Sequence, residues 1–132
     1  MPIIWGMVAG GAVFLTLDLV WLGIIARDFY RSQMATILAQ PFQAAPAVAF
    51  YALYLVGVAA FVVAPALAGG GWLSAMWKGA LFGLVAYGTY DLTGLAVIRD
   101  FPTSLAFVDM AWGAVLTATA STVAVLVALR FV

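Results

Sequence analysis

The chain has 132 residues, of which 67% are hydrophobic and 8% are charged, and its formal net charge is zero. This composition excludes a soluble domain, which needs far more polar surface, and it predicts an integral membrane protein with one transmembrane domain over residues 1–132. The scattered cations exclude a nucleic-acid partner, and the absence of Cys and His excludes disulfides, haem ligation by imidazole and the common zinc sites. We therefore expect no cofactor and no metal site.

Hydropathy divides the chain into four apolar segments, each long enough to cross a hydrocarbon core of about 30 Å as a helix. They are Ile3–Ile25, Ala47–Leu67, Trp72–Ile98 and Ser104–Val132, and the parts inside the membrane are about 3–25, 47–67, 78–98 and 104–130. The first segment does not fit a cleaved signal, because no basic residue precedes it and its apolar stretch is too long. The predicted fold class is all-α, an integral membrane bundle of four transmembrane helices.

Proline and glycine separate these segments: Pro41 and Pro46 precede the second, Pro65 and the glycines 69–71 follow it, and Pro102 precedes the fourth. The first connection, residues 27–45, has an apolar stripe with helical spacing that consists of Tyr30, Met34, Ile37 and Leu38. This stripe predicts a short interfacial helix on the membrane surface, although an ordered loop fits the same residues. Basic residues are balanced between the two sides, so membrane orientation stays open.

Three aspartates, Asp18, Asp91 and Asp109, fall inside the predicted spans. A carboxylate at bilayer depth costs roughly 2.5–3.5 kcal/mol on insertion scales, so each needs a partner, a water-filled cavity or a proton. At 1.5 Å per helical residue, all three lie about 10–14 Å from the same surface. An intramembrane aspartate can also simply join helices through hydrogen bonds, but three at one depth favour a shared site.

Aromatic side chains accompany the aspartates at this depth: Trp21, Tyr51, Tyr54, Tyr87, Tyr90 and Trp112. Each could belong to the ordinary interfacial belt, but residues three apart share a helix face, and both tryptophans lie three residues after an aspartate. We predict an aromatic-walled ligand pocket that these residues form with all three aspartates, which are also the candidate catalytic residues. Because like charges this close cannot all ionise, at least one aspartate should be protonated at neutral pH.

Five segments carry a family resemblance: residues 18–23, Phe29-Tyr30, residues 50–54 with Gly57, residues 87–93 and residues 109–113. In them the chain resembles the uncharacterised bacterial membrane family known as domain of unknown function 2177, over nearly its whole length. Two positions depart from the family pattern, which usually has Asn in place of Gly94 and Trp-Pro in place of Phe101-Pro102. The first departure argues against an amide beside Asp91. The resemblance implies a four-helix multi-pass protein of the bacterial inner membrane and no particular activity.

Three functions remain open. Acidic groups and aromatic walls favour binding or transport of a small cationic or amphipathic ligand, or of protons. A membrane-embedded enzyme acting on a lipid or isoprenoid would use one aspartate as general acid and another as base. An accessory subunit, or a homo-oligomer, would use the buried polar faces to assemble with a membrane-protein partner. The residues themselves do not decide whether the chain is an enzyme.

Overall fold

The computed structural model describes residues 2–34 and 44–132, and all regular structure within them is helical. Helix α1 is Pro2–Val20 and continues as five π-helical residues, Trp21–Ile25; a short helix α2, Arg27–Gln33, follows. Helices α3, α4 and α5 are Ala44–Val58, Gly71–Val97 and Thr103–Ala128, and a last 3-10 turn spans Leu129–Phe131. The all-α prediction is confirmed for the part of the chain that the structure describes.

Three helical runs in the described residues are long and apolar enough to cross a membrane: Pro2–Ile25, Ala44–Val97 and Thr103–Phe131. The sequence predicted four spans, and the difference lies in the second run, which has 54 residues and contains two of them. Helix α3 continues as one π turn before Pro65, Ala59–Val63, and as another after it, Ala66–Gly70. The second leads directly into α4, where the sequence predicted a loop. The wider π turns around Pro65 accommodate a residue that has no N–H to donate to the preceding turn.

The second run bends sharply at its glycines. Gly69 has φ 143° and Gly71 has φ 72°, values that residues with a Cβ rarely adopt. Beyond the bend the two arms pack side by side, since the Tyr54 ring of α3 lies 5.7 Å from Phe82 and 6.5 Å from Tyr87, both on α4. The bend therefore places the aromatic residues of α3 against those of α4.

Helix α5 lies at the centre and packs along α4 on one side and along α1 on the other. The helices approach closely because small residues face each other. A Cβ on Gly83 would overlap the backbone carbonyl of Gly113, and one on Gly10 would lie 2.8 Å from the carbonyl oxygen of Ala120. Such close backbone approach is how helices gain packing energy where lipid is as apolar as the side chains.

The first connection contains α2, which begins after the single residue Ala26. Its charged residues are exposed, whereas Phe29 and Tyr30 are half-buried. The predicted apolar stripe extends further along the chain, but Ile37 and Leu38 lie outside the described residues, as does Pro41. The part of the stripe that is described, Tyr30 and Met34, is on or directly after this helix.

Candidate functional site

The carboxylate of Asp18 joins three helices. It is 6% exposed, and its two oxygens accept hydrogen bonds from different neighbours. Tyr51 Oη of α3 donates to Oδ2 at 2.7 Å, and Trp112 Nε1 of α5 donates to Oδ1 at 3.1 Å. Both oxygens of this buried group have donors, so Asp18 holds α1, α3 and α5 together without needing a ligand.

A pair of indole rings connects Asp18 to the second carboxylate. The rings of Trp21 and Trp112 stack with their centroids 4.5 Å apart and their planes at 10°. Trp21 Nε1 donates to Tyr30 Oη at 3.2 Å, and Tyr30 Oη donates to Asp109 Oδ1 at 2.7 Å. Burial raises the pKa of the Tyr30 phenol, and the bond to Asp109 acts in the same direction, so the phenol stays a neutral donor. The bond between Tyr30 and Asp109 therefore connects the short helix α2 to α5.

Asp91 of α4 differs from the other two aspartates. It is 0% exposed, and no donor within the described residues bonds to either of its oxygens. The carboxyl of Asp109 on α5 is close enough to act on it through charge, but no hydrogen bond joins the two carboxyls. Two negative charges this close in a buried site repel each other, and a proton on one of the groups would remove that repulsion. Asp91 and Asp109 are therefore candidates for a coupled carboxyl pair between α4 and α5.

A cavity of about 290 Å³ adjoins Asp109 between α3, α4 and α5. It is lined by Phe50, Tyr51, Ala86, Tyr87, Tyr90 and Asp109. Four aromatic rings thus surround a space that contains one carboxylate. Aromatic faces and a carboxylate both attract cations, the first through the ring quadrupole and the second through charge.

Four predicted site residues line this cavity: Tyr51, Tyr87, Tyr90 and Asp109. Four others do not line it: Asp18, Trp21, Asp91 and Trp112. Tyr54 lies elsewhere, because it is buried in the hydrophobic core and its hydroxyl forms a hydrogen bond with Thr117 of α5. Of the three aspartates, only Asp109 lines this cavity within the described residues; Asp18 has its own donors, and Asp91 is fully buried.

Sequence reasoning assigned Tyr30 to the surface helix and missed its bond to Asp109. The Phe29-Tyr30 motif could have indicated a role for Tyr30 in the site. This motif lies outside the predicted spans, so membrane insertion does not explain its two aromatic residues. Phe50 and Ala86 were missed as cavity residues. Phe50 also belongs to a motif, whereas nothing in the pattern marks Ala86.

Gly94 and Phe101 lie close together. A Cβ on Gly94, one turn after Asp91, would lie 2.7 Å from the Phe101 ring. Phe101 is 6% exposed and packs its ring edge against Tyr90, with centroids 5.5 Å apart. Phe101 therefore fills the space that a larger side chain at position 94 would occupy.

Comparison with known proteins identifies one family. The family model described as "Predicted membrane protein (DUF2177)" matches residues 3–126, which include every residue of the candidate site. No curated protein and no solved structure matches the chain. The family description contains a membrane location and no activity.

Proposed function

Because the chain belongs to this family of membrane proteins, we propose that it acts within the bilayer. There it binds a small cationic or amphipathic molecule and exchanges it for a proton. The observation that carries the proposal is the cavity beside Asp109, in which aromatic rings surround a carboxylate. The membrane we propose is the bacterial inner membrane, and the chain forms one domain in it.

The proposal includes four crossings, with α2 at the surface. A straight helix of 54 residues would be roughly 80 Å long, far more than a bilayer core needs, and the bend at Gly69 to Gly71 divides it into two arms. Trp72 and Trp77 follow the bend and are exposed, and Lys78 Nζ lies 5.6 Å from the centre of the Trp77 ring. Exposed indoles and a lysine are typical of the membrane interface, which supports a turn at the surface.

Cysteine accessibility tests the four crossings, since the chain has no cysteine of its own. Single substitutions Ser32→Cys and Asp100→Cys should react with a membrane-impermeant maleimide from one side of sealed vesicles. Leu73→Cys and Val132→Cys should react from the other side. A cysteine at position 73 that reacts from the same side as position 32, or is shielded from both sides, would contradict the arrangement.

The cavity is suited to a cation that arrives from the lipid. Phe50 and Tyr90 are 44% and 52% exposed, so two of its walls also form part of the outer surface between α3 and α4. An amphipathic cation can therefore enter from the membrane and place its charge against Asp109. The volume of the cavity, about 290 Å³, suits a small organic ion such as tetraethylammonium.

The proposal of proton exchange rests on two carboxyls: Asp109, which lines the cavity, and the fully buried Asp91. With the cavity empty, one proton shared by the pair avoids two buried negative charges. When a cation binds, its charge compensates Asp109, and the proton is released. The proposal assigns no proton to Asp18, because both of its oxygens have donors and it does not line the cavity.

Calorimetric titration of the purified chain in lipid nanodiscs with tetraethylammonium tests the proposal. We expect saturable binding that weakens as pH falls, and release of about one proton per cation, measured in two buffers of different ionisation enthalpy. Asp91→Asn should retain binding and lose the proton release. Asp28→Asn, which alters an exposed carboxyl on α2, is the control and should behave like the wild type. Absence of saturable binding, or binding independent of pH, would overturn the proposal.

One alternative is favoured by the same carboxyl pair. Two adjacent carboxyls of which one holds a proton could act as general acid and general base on a lipid or isoprenoid that enters the cavity. An enzyme of this kind would convert lipid without any ion gradient, whereas an exchanger would move tetraethylammonium into liposomes only when a pH gradient is imposed. Measuring both in the same proteoliposomes separates the two functions.

A further inference from the structure

A second cavity, of about 410 Å³, lies where the first span ends. It is lined by Leu22, Gly23, Arg27, Tyr30 and Arg31. None of these residues lines the cavity beside Asp109. Tyr30 links the two sites, because it lines this cavity and its hydroxyl donates to Asp109.

This cavity, termed the arginine hollow, carries two positive charges. Arg27 and Arg31 are four residues apart on α2, so they lie on the same face of the helix. Both are exposed, and the described residues, which include the neighbouring Asp28, provide no carboxylate within 4.0 Å of either guanidinium group. Guanidinium groups match the geometry of phosphate oxygens through paired N–H donors. The hollow therefore has the chemistry of a phosphate site.

Its location selects the source of the phosphate. Arg27 is the second residue after Ile25, where the first membrane-capable run ends, so the hollow lies at the membrane surface. Its other wall is apolar: Leu22 is 40% exposed, and a Cβ on Gly23 would meet nothing within 4 Å. A ligand that fills the hollow thus meets two cations at one end and open apolar surface at the other.

We propose that the arginine hollow binds the headgroup phosphate of an anionic phospholipid, with the upper part of an acyl chain along Leu22 and Gly23. Basic pockets next to the ends of transmembrane helices bind anionic headgroups on this principle. The site goes beyond the exchange function proposed above and does not depend on it, since lipid retention is measured without tetraethylammonium or a pH gradient.

Native mass spectrometry of the full chain, titrated with phosphatidylglycerol in a neutral detergent, tests the site. The double variant Arg27→Gln with Arg31→Gln should bind phosphatidylglycerol roughly thirtyfold more weakly, because each arginine near a membrane surface contributes about fivefold. Arg99→Gln is the matched control, since Arg99 is exposed in the connection between α4 and α5 and does not border the hollow. It should bind as the wild type does. The double variant Arg27→Lys with Arg31→Lys keeps the charge and loses the paired donors. Its affinity for phosphatidylglycerol should lie between that of the wild type and that of the double glutamine variant.

Three results would overturn the assignment. If Arg99→Gln weakens binding as much as the double variant, the effect comes from general surface charge. If phosphatidylcholine binds as tightly as phosphatidylglycerol, the arginines do not select an anionic lipid. If inorganic phosphate alone displaces the lipid at millimolar concentration, the ligand is a free anion. An unchanged gel-filtration profile of each variant confirms that the fold is intact.

Discussion

Asp109→Asn should weaken tetraethylammonium binding about thirtyfold or more, because it removes the only carboxylate that lines the cavity in the described residues. The substitution keeps the shape of the side chain. The amide oxygen can still accept the hydrogen bond that Tyr30 Oη gives to Oδ1 at 2.7 Å, so α2 should stay fastened to α5. The change therefore isolates the charge of the group from its structural contact. Calorimetric titration in nanodiscs measures the loss.

The proton count gives a second readout of the same variant. Asp109→Asn leaves Asp91 with an amide neighbour, so any residual binding should release no proton. Asp28→Asn is the matched control for loss of one carboxylate, since Asp28 is exposed and lines neither of the two cavities beside Tyr30. Binding by Asp109→Asn within twofold of the wild type would show that the carboxylate does not hold the cation.

Gly83→Ala should produce the largest loss of stability, about 2–3 kcal/mol in the free energy of unfolding. A Cβ at this position overlaps the backbone carbonyl of Gly113, which cannot rotate away as a side chain can. The Thr117 hydroxyl, the partner of Tyr54, also lies against it. Helices α4 and α5 must therefore move apart along their most extensive contact. Unfolding by sodium dodecyl sulfate in mixed micelles measures the change.

The control for this substitution is the same chemical change in open space. Gly23→Ala adds a Cβ that meets nothing within 4 Å, so the free energy of unfolding should change by less than about 0.5 kcal/mol. If both variants lose the same free energy of unfolding, Gly83 acts through backbone flexibility and not through the contact between helices.

The amino-acid sequence by itself determined the properties that depend on local composition and spacing. Hydropathy predicted the helical, membrane-spanning character, and counting residues along helices predicted a common depth for Asp18, Asp91 and Asp109. Helical periodicity also placed each of Trp21 and Trp112 on the face of its aspartate. These inferences depend only on neighbours along one helix, which is why they could be made without coordinates.

The tertiary structure decided which groups face each other. Asp18 has donors from two other helices, Asp91 has none among the described residues, and Tyr30 reaches Asp109 from α2. The helices are apolar on nearly every side, so no amphipathic pattern indicates how each is rotated about its axis or which neighbour it meets. Those rotations are set by close contacts such as Gly83 on Gly113, between residues far apart in the chain. For the same reason only the folded chain distinguishes an aspartate that joins helices from one that lies beside a cavity.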